Sequence, residues 1–110
     1  MYLLLNIPNI KITIMKNFEP SCYIQKEAIN KLQFSKTEVL QKVEEKSMRK
    51  HSLNRALQLG NLLKNKVDIY FKDVEENLMR VNTTIWGVTT DAVILKQGIL
   101  IPQNRIVLVD

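Results

Sequence analysis

The side chains with the most chemistry to offer are cations. Between Lys42 and Lys66 the chain places Lys42, Lys46, Arg49, Lys50, Arg55, Lys64 and Lys66 against only Glu44 and Glu45. That local excess equals the formal net charge of the whole chain, +5, so the remainder is balanced. Cations gathered in one segment raise a positive potential and suit an anionic partner better than scattered ones do. Ammonium and guanidinium groups hold phosphate oxygens without reading base sequence. Lys46, Arg49, Lys50, Arg55, Lys64 and Lys66 are therefore the candidate phosphate contacts for RNA or DNA. Trp86, the one tryptophan, is a candidate stacking platform for an unpaired base. The competing reading of the cations is a solvated helix face. For Trp86 it is packing on the preceding helix, against Leu53 or Leu57.

Other chemistry finds little support. One cysteine, Cys22, excludes an intramolecular disulfide and a cysteine-based zinc cluster within one chain. It suits a reducing compartment, and the expected location is cytoplasmic. Cys22 as a nucleophile needs a positioned base, and the single histidine, His51, is far from it in sequence. His51 lacks carboxylate or cysteine neighbours at ligand spacing and instead adjoins the basic run. The glycines Gly60, Gly87 and Gly98 are isolated, so no phosphate-cradling loop is encoded. Asp73, Glu75 and Glu76 share one polar turn and are expected to be solvated. The expectation is a protein without catalytic residues, bound metal or cofactor.

The elements that must position these groups follow from periodicity. Ser35-Lys-Thr-Glu38 has the form of a capping box, in which a hydroxyl and a carboxylate satisfy the first free N–H groups of a helix. Val39, Leu40 and Val43 follow at helical spacing. Leu53, Ala56, Leu57 and Gly60 repeat at i, i+3, i+4 and i+7. The pattern predicts a basic helical segment over 37–60, either one long helix or two meeting near His51-Ser52. Gly60-Asn61 reads as its stop, because glycine readily adopts the left-handed conformation after a helix.

From 61 to 110 the period changes to two. Val67, Ile69 and Phe71 alternate with Asp68 and Tyr70. Val81, Thr83 and Ile85 share one face of the next strand, and Arg80, Asn82, Thr84 and Trp86 share the other. Gly87 permits a bend or bulge. Val93–Leu95, Ile99–Ile101 and Ile106–Val109 complete five strands. Pro102 lacks a ladder donor and should break pairing. Five short strands in so little chain predict a strongly bent antiparallel sheet or a small barrel. The fold class expected is α+β, with the helical segment packed on the C-terminal five-strand unit.

The first residues are apolar but interrupted by Asn6, Pro8, Asn9 and Lys11. They form neither a signal peptide nor a membrane span, and no membrane partner is expected. Lys11-Ile-Thr-Ile could be an edge strand. The preferred reading is a poorly ordered extension over 1–14 upstream of a true start at Met15, followed by an irregular segment over 15–36.

A helix leading into five bent strands resembles the layout of the Sm-like (Hfq-type) family over about 52–110. Leu62-Leu-Lys-Asn-Lys-Val-Asp-Ile-Tyr resembles the family's junction from helix to first strand. Asp91-Ala-Val-Ile-Leu-Lys resembles its third strand, and Ile106-Val-Leu-Val its fifth. The resemblance implies a small SH3-like or Sm-like barrel and RNA as the partner. Thr89-Thr90-Asp91 stands where the family has an Asp-x-x-Met-Asn loop, and Pro102-Gln-Asn104 where it has Arg-Gly or Lys-His. The second strand also lacks the usual glycine, so the family's RNA-contacting residues do not carry over. Thr83-Thr-Ile-Trp-Gly-Val-Thr and Ile-Leu-Lys-Gln-Gly also resemble short bacterial proteins, a likeness that implies no activity. The functional expectation is a non-enzymatic nucleic-acid-binding barrel with a basic helical arm. The alternative is a protein-interaction module that self-associates through an exposed strand edge such as Ile106–Val109.

Overall fold

The computed structural model describes residues 22–110. The expected extension over 1–14, its alternative as an edge strand, and the start of the irregular segment lie outside the described residues. The chain is α+β. Strand β1 (Cys22–Tyr23) leads through a 3-10 turn (Lys26–Lys31) to helix α1 (Val43–Leu63). Then come β2 (Val67–Lys72), β3 (Leu78–Thr83), β4 (Ile85–Val88), β5 (Ala92–Leu95), β6 (Leu100–Pro102) and β7 (Ile106–Val109). Among the described residues, no helix is long and apolar enough to cross a membrane.

The strands form two sheets, where a single five-strand sheet or barrel was expected. One has the order β1-β3-β2-β7 and the other β4-β5-β6. β1 runs parallel to β3, and every other pair is antiparallel. Among the described residues no ladder joins β6 to β7, so the sheets do not close. The expected second strand is cut at Thr84, where the chain leaves one sheet and enters the other. The Thr84 carbonyl is drawn out of the first ladder, accepting the Lys96 N–H at 3.0 Å. Gly87 ends a register shift that begins at Ile85, which makes Trp86 the extra residue of a bulge.

The two-residue alternation holds up to Thr83 and resumes at Ile85, but Thr84, expected on the open face, is buried at the crossing. Met79, Val81, Thr83 and Ile85 are buried, while Asn82 and Trp86 are exposed. Met79, Val81 and Ile85 join Ile69, Phe71, Val93, Leu95, Ile101 and Ile106 in one core, which Leu53 and Ala56 of α1 cover. Each fully buried aliphatic side chain contributes about 1.5–3 kcal/mol. Ile29 of the 3-10 turn is also in this core, so part of the segment expected to be irregular is an anchored element.

Helix α1 is single, and both of its ends differ from expectation. At the start, the Ser35 hydroxyl accepts the Thr37 N–H at 3.1 Å, which makes a local turn and no helix. Glu38 turns away to Arg49 and to the Leu40 N–H. The carboxylate that reaches back over the helix start is Glu45, which accepts the Lys42 N–H at 3.3 Å. At the other end the helix runs through Gly60 to Leu63. Lys64 takes the left-handed conformation (φ 59°) and donates its N–H to the Gly60 carbonyl. Gly60 is a contact point: a Cβ there would lie 2.6 Å from the Ile85 carbonyl oxygen. Its missing side chain lets α1 approach the start of β4 closely.

Arg105 fastens the loops. It is fully buried, and its guanidinium donates to the carbonyls of Lys72, Thr37 and Asp73 and to the Glu76 carboxylate. Asp73, expected to be solvated, is buried and accepts the N–H groups of Glu75 and Asn77. That bonding shapes the β2–β3 turn, in which Glu76 holds a positive φ of 65°.

Candidate nucleic-acid interface

The six candidate cations do not share one surface. Arg49 is buried, at 8% exposure. Its two terminal nitrogens each donate to one Glu38 oxygen at 2.6 Å, a bidentate pair, and Nη1 also donates to the Ile106 carbonyl at 3.0 Å. Burial opposes ionisation of Glu38, but the Arg49 and Leu40 hydrogen bonds overcome it. They hold the carboxyl below its ordinary range. Arg49 is thus committed to holding the 34–40 segment and β7 against α1. It is withdrawn from the phosphate set, because contact would require opening this pair.

Lys46, Lys50, Arg55, Lys64 and Lys66 are all exposed. None of them is in salt-bridge contact with a carboxylate among the described residues. Lys46 still lies near enough to Glu38 to help keep it ionised. On a helix advancing about 100° per residue, Lys46 and Lys50 fall on one flank and Arg55 lies about 140° further round from Lys50. Lys64 and Lys66 follow at and beyond the helix C-cap. The basic run is therefore divided among a flank, an opposite face and a terminus.

Trp86 is 51% exposed, so the indole is free to meet a partner over half its surface. It follows Ile85, whose carbonyl the helix touches at Gly60. His51 is exposed on α1. Among the described residues no group of three or more His, Cys, Asp or Glu side chains is placed to hold a metal ion.

Two features escaped sequence reasoning. A groove of about 660 Å³ opens between Phe34, Lys36 and Glu38 on one side and Asp91, Gln103 and Asn104 on the other, with Arg49 in its wall. Asn104 and Gln103 are already bonded, to the Lys36 and Thr89 carbonyls. The second is on β2 and β3, where the register sets Tyr70 opposite Arg80 and Asp68 opposite Asn82. Arg80 donates to Asp68 at 2.7 Å, with its guanidinium carbon 4.9 Å from the Tyr23 ring centre and 5.5 Å from that of Tyr70. These are cation–π distances. Burial pushes the Tyr70 hydroxyl above its ordinary pKa. The cross-strand pairing carried this signal, but only a known register reveals it.

No protein-family model, curated protein or solved structure matches the chain.

Proposed function

We infer that this is a small, non-enzymatic, cytoplasmic protein that binds nucleic acid, RNA in the first place, through exposed cations of α1 and its C-terminal junction. The observation that carries the reading is the stretch from Lys46 to Val67. It contains no Asp or Glu, and five of its six cations are exposed and outside any salt bridge among the described residues. Unneutralised cations of this kind release counterions from a polyanion and so drive association. The contact set is Lys46, Lys50, Arg55, Lys64 and Lys66, with Trp86 available for stacking. The Sm-like reading of the scaffold draws on β2 to β7 alone, in the order β7-β2-β3 with β3 continuing through Thr84 into β4-β5-β6, while β1 lies parallel on the far side of β3.

The test is retention of labelled RNA and DNA as a function of salt. Five phosphate contacts on a duplex set an upper bound of about −4.5 on the log–log slope. Absence of binding at 50 mM salt overturns the reading.

The alternative, an interaction module that assembles through a strand edge, draws on the position of β7 at the border of its sheet. Arg49 already occupies the Ile106 carbonyl, which blunts that edge at its first residue. Light scattering over a concentration series separates the two: a concentration-dependent mass increase without RNA favours the edge.

A further inference from the structure

We propose that Lys42, Lys46 and Lys50 form a track for the backbone of an unpaired nucleic-acid strand, taking three successive phosphates. The proposal rests on the nucleic-acid reading and adds strandedness and a residue, Lys42, that the contact set above lacks. Lys42 is the N-cap of α1, and its carbonyl accepts the Lys46 N–H at 3.1 Å. Lys50 follows one turn later. All three are exposed, and none is in salt-bridge contact among the described residues. At 1.5 Å per residue the row rises about 6 Å per lysine and about 12 Å in total. That rise is of the same order as the separation of neighbouring phosphates along an extended strand.

The geometry favours one strand over two. A duplex presents its phosphates in two rows, across grooves about 6 and 12 Å wide in B-form DNA and across one narrow and one wide groove in A-form RNA. The lysine row is a single line on one flank, and Arg55 lies about 140° round the helix, too far to serve a second row on the same side. A flexible single strand can follow the row and release its own counterions, at about 0.7 per phosphate against about 0.9 for a duplex. An unpaired strand also leaves its bases free for an exposed aromatic such as Trp86.

The experiment is fluorescence anisotropy of the full chain with a labelled 20-nucleotide oligouridine and with an RNA duplex of equal length, titrated with NaCl. The expected result is a single-strand slope at least as steep as about −2, the share of the three track contacts, and at least tenfold weaker duplex binding. Lys42→Gln, Lys46→Gln and Lys50→Gln should each reduce the slope by about 0.7, while Lys31→Gln, on the 3-10 turn and outside the contact set, leaves it unchanged. Circular dichroism confirms that the helix persists in each variant, and Lys50→Gln, remote from the helix start, serves if Lys42→Gln disturbs it. Duplex binding as tight as single-strand binding overturns the proposal. So does a Lys31→Gln effect equal to that of Lys50→Gln, although the nucleic-acid reading then survives. Failure to bind either probe removes both.

Discussion

Arg49 and Lys50 are consecutive cations with opposite surroundings. Arg49 points into the molecule, joined to Glu38 and to the Ile106 carbonyl. Lys50 points to solvent. Arg105 repeats the first situation, fully buried among three carbonyls and a carboxylate. Lys46 repeats the second. The difference follows from side-chain chemistry: a planar guanidinium presents five donors and can satisfy several buried acceptors at once, while an ammonium is strongly hydrated and favours water. In this protein the buried arginines hold loops to the core, and the lysines of α1 stay exposed to solvent.

Four variants would break or sharpen that contrast. The largest effect is expected at Arg105. Arg105→Met would take the guanidinium from the Lys72, Thr37 and Asp73 carbonyls, leaving Thr37 only the long Asn104 contact and Asp73 the Glu76 N–H, and lower stability by about 3–5 kcal/mol in urea denaturation. A loss under about 1 kcal/mol would mean that water replaces the guanidinium and that the clamp is dispensable.

Gly60→Ala comes next. Alanine alone would favour the helix by about 1 kcal/mol. The new Cβ, 2.6 Å from the Ile85 carbonyl, meets backbone that cannot easily yield. Overpacking should prevail, with a net loss of about 2 kcal/mol on thermal or chemical unfolding. A stabilised variant would disprove the close contact.

Glu38→Gln should cost about 1–2 kcal/mol at neutral pH by weakening the Arg49 pair. Its signature is a pH dependence. The Glu38 carboxyl is held below the ordinary value of 4.5 in the folded protein. Its contribution is therefore fully present above that value and is lost as pH falls through the lower folded one. The variant should show a flatter acid limb in a stability–pH profile. An unchanged limb would mean that Glu38 does not titrate differently on folding.

The smallest change in stability is expected from the double variant Lys46→Gln, Lys50→Gln, within about 0.5 kcal/mol of the parent. The same variant should lose most of its RNA retention at low salt. A stability loss comparable to that of Glu38→Gln would place these lysines in the framework, beside Arg49.

Much of the scaffold was legible from local pattern. Val67, Ile69 and Phe71 alternate in the sequence and are buried in β2. Leu53, Ala56 and Gly60 repeat at helical spacing and form the inner face of α1. The bulge anticipated at Gly87 is present. The site was less legible. Lys46 and Lys50 emerge exposed from the helical repeat, but nothing local distinguishes them from Arg49. Leu63 continues the apolar repeat and is nevertheless 62% exposed, because it lies past the point where Gly60 meets β4.

The sequence by itself determined the α+β class, the alternation of the strands, and the gathering of the positive charge into one stretch. These depend on residues a few positions apart, whose spacing must match a helix or strand period. Tertiary structure decided where the helix begins, where the sheet divides, and which cations remain free. Each of those outcomes depends on a partner distant in the chain: Glu38 and Ile106 for Arg49, Ile85 for Gly60, and Thr37 and Lys72 for Arg105. A buried charge goes where its acceptors are, and only the folded chain brings those acceptors together.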